Sequence, residues 1–138
     1  MATSQSLRAQ AKQRFRDIIW TYDTEPTEFW LGLVTLALGF WLLLPCDTFA
    51  LGPGYRAMLA LAPEPFWGLL WVAVGALHLV KLLTNGIHFR RQTAFLMVVL
   101  WLFQAVLIAL GSMAGIGVAI YSTLALQAAW VYLRLGRV

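Results

Sequence analysis

Few side chains inside the apolar stretches of this sequence could do chemistry: Thr35, His78, Gln104, Ser122, Thr123 and Gln127. His78 is the one ionisable group well inside an apolar run, and such a group is a functional candidate because placing it in hydrocarbon is costly. Counted from the ends of the runs, His78 and Gln127 lie at similar depth, with Gln104 and Thr35 nearer the middle. The four are therefore expected to form one polar layer. Passage of a small molecule is the chemistry that layer would offer, and the plainer expectation is structural, with His78 satisfied by Gln127 or a backbone carbonyl.

Catalytic chemistry finds little support. Span boundaries drawn from hydropathy leave no Asp or Glu inside a span, which removes the usual acidic site of a proton relay or a cation-coupled exporter. His78 and His88 are ten residues apart near the same face, a poor placement for clamping a haem from two helices. No phosphate loop, nucleophile elbow or metal-ligand cluster is visible, so no enzyme, cofactor or metal is expected. The single cysteine, Cys46, excludes an internal disulfide framework and a cysteine-based metal cluster. It is expected as an unpaired thiol at a membrane interface.

The elements that must position these residues follow from composition. Of 138 residues, 61% are hydrophobic and 12% are charged, where a soluble domain carries about 25% charged residues. Hydrocarbon is therefore the expected solvent for most of the chain. Four spans are read at about 29–44, 66–83, 94–110 and 115–133, within a transmembrane domain over 27–138. The expected fold is all-α: an integral membrane four-helix bundle. The first span is short, because sixteen residues reach only about 24 Å. Between Pro45 and Glu64 lies the longest loop, in which 55–62 is expected to form a short interfacial helix. Trp30, Trp67 and Trp130 fall near span ends, as an aromatic belt would place them.

Residues 1–26 form a separate basic segment. Leu7, Ala11, Phe15, Ile18 and Tyr22 recur at spacings of three and four, with Arg8, Lys12, Arg14 and Arg16 beside them. This pattern predicts an amphipathic helix lying on an anionic membrane surface, with docking to a soluble partner protein as the other reading. Together with Arg90 and Arg91, these cations form the expected lipid or partner surface. Nine of the ten basic residues fall on one side of a four-span chain and only Arg56 on the other, so both termini are expected in the cytoplasm. The net charge of +4 is thereby assigned to topology, and no nucleic-acid partner is expected.

Small residues set the expected packing. Gly32 and Gly39 share a seven-residue spacing with Gly68 and Gly75, each pair following a Phe-Trp step. Because the two spans run antiparallel, the echo is read as a packing device. Gly111, Gly115, Ala119 and Ser122 suggest a small-residue stripe opening the fourth span. That stripe has two readings, self-association and packing within the chain.

The arrangement of Asp47-Thr48-Phe49, Tyr55-Arg56, Gly68, Gly75, Asn85-Gly86 and a basic loop resembles small four-span membrane proteins of tailed bacteriophages and prophages, holin-like or uncharacterised. The likeness covers roughly 28–125. It implies a host inner-membrane location, multi-pass, with homo-oligomerisation. The expected function is a non-enzymatic, self-associating membrane protein, with a holin-like pore or lesion as one form. A virion- or complex-associated assembly component is the alternative, and a small-molecule transporter the second alternative.

Overall fold

Each apolar run forms one long helix in a computed structural model of the chain, which describes residues 23–45, 48–84, 87–111 and 115–137. The helices are α1 (Glu25–Leu43), α2 (Arg56–Leu61), α3 (Glu64–Leu83), α4 (Ile87–Gly111) and α5 (Ile116–Leu135). Two 3-10 turns, Thr48–Leu51 and Pro53–Tyr55, lead into α2. Among the described residues all regular structure is helical, and α1, α3, α4 and α5 are long and apolar enough to cross a membrane. The expected amphipathic segment with Arg8, Lys12, Arg14 and Arg16, the Cys46 thiol and the Asn85-Gly86 step lie outside the described residues.

Helix starts depart from the hydropathy boundaries. Pro26 and Pro65 sit in the first turns of α1 and α3, where a fixed φ suits the helix and a missing N–H costs nothing. α1 begins four residues ahead of Phe29 and reaches 19 residues, about 28 Å, so the first span is not short. α4 begins at Ile87 and takes in His88, Arg90 and Arg91, which the charge pattern assigns to a loop. α2 supplies the short helix expected in the long connection.

α1 and α3 lie antiparallel and meet through glycine. A Cβ added at Gly39 would fall 2.5 Å from the Val72 backbone N and 2.9 Å from the Gly68 carbonyl. One added at Gly75 would meet the Leu36 backbone N at 2.7 Å, and one at Gly32 would meet the Leu79 side chain at 2.7 Å. The seven-residue spacing thus places both glycines of each helix on the shared seam, where Gly39 and Gly75 face backbone and Gly32 and Gly68 receive the Leu79 and Leu43 side chains.

α4 and α5 are joined by side chains. Arg91 and Phe95 meet Tyr132, Trp101 stacks on Tyr121 with ring centroids 5.7 Å apart, and Ile108 lies against Gly117. The two pairs of helices close on one another through Trp71 and Trp101, whose centroids are 4.5 Å apart, with Met58, Met97, Ala125 and Ala128 filling the space around them. Trp67, expected near a span end, is buried within the bundle. Its indole N–H reaches the carbonyls of Met58 and Ala62 at 3.2 and 3.1 Å, tying α2 to the head of α3, while Glu64 accepts from the backbone N–H groups of Thr48 and Phe49.

The Gly111–Gly115 pair is not a stripe on one helix. Gly111 closes α4, where an added Cβ would strike the backbone of Pro53 and Gly54, and Gly115 is the N-cap of α5. Because α4 ends at Gly111 and α5 starts at Ile116, the two glycines are not i, i+4 neighbours on one helix. Further along α5, Ala119 is exposed and Ser122 half-buried, while Ala125 and Ala128 take the buried face.

Candidate functional site

One end of the bundle gathers Glu25, Glu28, His78, Arg90 and Thr93 from three helices. The early start of α1 brings Glu28 inside the first helical turn, where a carboxylate complements the helix dipole. Arg90 stands in the first turn of α4, where that dipole opposes a cation. The two meet as a fork on a carboxylate: Arg90 Nε donates to Glu28 Oε2 at 3.0 Å and Nη2 to Oε1 at 2.6 Å. Glu28 is 0% exposed and Arg90 5%. Glu25, largely exposed, adds a longer contact of 3.5 Å. Arg90 is therefore not part of an exposed lipid or partner surface, and an acid does lie inside the first span.

His78 adjoins this pair. Its Nδ1 lies 2.9 Å from the Thr93 hydroxyl, and its ring edge would be 3.3 Å from a Cβ at Gly32, so the glycine makes the space that the imidazole occupies. Thr93 also donates to carbonyls one turn back, Phe89 and Arg90. His78 is fully buried, and its Nε2 makes no close hydrogen bond among the described residues, with the Glu28 backbone nearby. The partner of His78 is thus Thr93, not Gln127.

The expected polar layer does not assemble. Thr35 donates to Leu31 of its own helix at 2.6 Å. Gln104 lies eleven residues beyond Thr93 on α4, about 16 Å along the axis. There it is 1% exposed beside the Tyr121 hydroxyl, which in turn is 3.3 Å from Tyr55. Gln127 is half-buried. Polar groups are therefore split between two ends: a charged cluster around Glu28 and Arg90, and a neutral one around Tyr55, Gln104 and Tyr121. Beside the neutral cluster is an apolar cleft of about 370 Å³ with Ile108, Ile116 and Ile120 in its walls.

Chemically, the charged cluster is a closed joint. Both carboxylate oxygens of Glu28 are engaged by one guanidinium, a geometry that fixes the orientation of the pair. No group of three or more His, Cys, Asp or Glu able to hold a metal ion occurs among the described residues. Glu28 and Thr93 were missed by hydropathy because each stands beside a charged or polar boundary. The available signal was spacing: Glu25 and Glu28, like Arg90 and Thr93, are three residues apart at the same end of neighbouring spans. Comparison with protein-family models, curated proteins and solved structures finds no match.

Proposed function

We propose that this chain is a non-enzymatic, multi-pass protein of a bacterial inner membrane that self-associates through α5. The uncovered face of α5 carries this reading. Its apolar window is 17% buried, against 33–39% for the other three long helices. Ile116, Ala119, Ile120, Thr123 and Leu126 are exposed along it at helical spacing. Ala119 and Thr123 are one turn apart and small, and Thr123 directs its hydroxyl to the Ala119 carbonyl of its own helix. Such a face admits a second backbone closely in lipid. The glycines of α1 and α3, by contrast, are already occupied within the chain.

A holin-like pore is the form of this function in which the lumen lies between copies, because Trp71, Trp101 and Met97 fill the middle of a single chain. Light-scattering mass in mild detergent tests the association. Wild type is expected above the monomer mass, and Ala119→Leu with Thr123→Leu is expected at the monomer mass with unchanged helicity. A monomeric wild type would sink the proposal. In induced cells, loss of signal from a membrane-potential dye separates a pore from silent assembly.

A further inference from the structure

Adjacent arginines at the start of α4 have different surroundings. Arg90 is enclosed by Glu28, whereas Arg91 has no carboxylate partner among the described residues. Its guanidinium lies over the Tyr132 ring, 4.8 Å from the centroid, and Nη2 is 3.4 Å from the Tyr132 hydroxyl. The backbone at Gly136 closes the other side, since a Cβ there would come within 3.0 Å of the guanidinium carbon. Stacked in this way, the planar fork is held in place with no carboxylate against it among the described residues. Around it is a cleft of about 350 Å³ lined by His88, Arg91, Gln92, Phe95 and Tyr132.

We infer that this cleft binds the phosphate headgroup of an anionic membrane lipid. The head of the site offers a guanidinium, an imidazole, a side-chain amide and a phenol, donors suited to phosphate oxygens. The floor is apolar: Phe95 packs on Tyr132 at 5.5 Å between centroids. His88, Gln92, Phe95, Val99 and Leu102 then follow one another on a single exposed face of α4. Polar donors at the helix end, leading into an apolar track along the helix, match an anion carrying an acyl chain. A soluble anion or an acidic protein segment would have no use for that track. The inference rests on the membrane reading above and is independent of self-association.

Native mass spectrometry of the chain released from nanodiscs of phosphatidylglycerol and phosphatidylcholine tests it. Wild type is expected to retain phosphatidylglycerol over phosphatidylcholine, and Arg91→Gln to lose about tenfold of that preference, as loss of one charge-assisted forked contact implies. Lys81→Gln removes an equal charge from the last turn of α3 and is expected to leave it intact. Equal losses in the two variants, or none in Arg91→Gln, would overturn the site. Displacement of the lipid by inorganic phosphate or by a glutamate-rich peptide would overturn the choice of ligand. Wild type that does not enter phosphatidylcholine discs at all would overturn the membrane reading itself, a failure distinct from insertion without lipid preference.

Discussion

The α1–α3 seam and the α4–α5 seam both contain glycine, yet glycine has a different role in each. At Gly39 and Gly75 the facing atoms are mainly backbone, with the Val72 and Leu36 nitrogens nearest at 2.5 and 2.7 Å from where a Cβ would be. At Gly117 the facing atoms are Ile108 and Tyr121 side chains at 3.4 Å or more. Backbone cannot retreat without moving a whole helix, whereas side chains adjust by rotamer. The first seam therefore fixes its register by steric exclusion, and the second by complementary packing. Neither seam holds the two helix pairs together. That task falls to contacts between the pairs, among them the tilted Trp71–Trp101 pair, the His78–Thr93 hydrogen bond and the Glu28–Arg90 fork, which bridges α1 to α4.

The largest effect is expected at this bridge. Glu28→Ala removes both forked contacts from the buried Arg90 guanidinium and leaves the longer 3.5 Å contact with exposed Glu25, and removing one partner of a buried pair costs about 3–5 kcal/mol. The double variant Glu28→Ala with Arg90→Leu is expected to recover most of that loss, because it removes the buried cation as well. Reversible unfolding in detergent micelles measures both. A single variant within about 0.5 kcal/mol of wild type would mean that the fork contributes little and that the Trp71–Trp101 and His78–Thr93 contacts suffice to join the pairs.

Next in size is the glycine seam. Gly39→Ala puts a methyl group into the Val72 backbone and is expected to cost about 1–3 kcal/mol, the range for overpacking where the neighbours cannot yield. Helix propensity works in the opposite direction by up to about 1 kcal/mol, so the sign of the net change decides which effect governs. A neutral or stabilised Gly39→Ala would show that α1 can slide on α3, and the distinction between the two seams would then fail.

Much of this architecture was legible in the sequence. Four apolar runs gave four long helices, and the matched spacing of Gly32, Gly39, Gly68 and Gly75 pointed to a packing device, which the α1–α3 seam uses. What hydropathy could not reach was any feature that depends on two segments at once. Glu28 and Arg90 each look like a boundary when counted singly. Paired, they neutralise one another and let both helices run a turn or more further. Gly111 and Gly115 misled for the converse reason, since a spacing that is meaningful within one helix means nothing across a helix end. His78 was legible as a buried polar group, but its partner Thr93 comes from a segment that appeared to be loop.

The smallest effect, opposite in sign, is expected at Gly117. This residue lies in the first turn of α5 and shows no positive φ, so alanine can adopt its conformation. An added methyl would meet Ile108 and Tyr121 at 3.4 Å, ordinary van der Waals contact. Gly117→Ala therefore keeps the fold and removes freedom from the unfolded chain, a gain of about 0.4–1 kcal/mol where the native backbone is compatible. Gly39→Ala and Gly117→Ala are the same chemical change on helices of the same bundle, and they are expected to move the unfolding midpoint in opposite directions. Destabilisation of Gly117→Ala by 1 kcal/mol or more, on the order of an overpacked core, would mean that the α4–α5 seam is as unyielding as the glycine seam, and that side-chain packing there has no slack to absorb a methyl group.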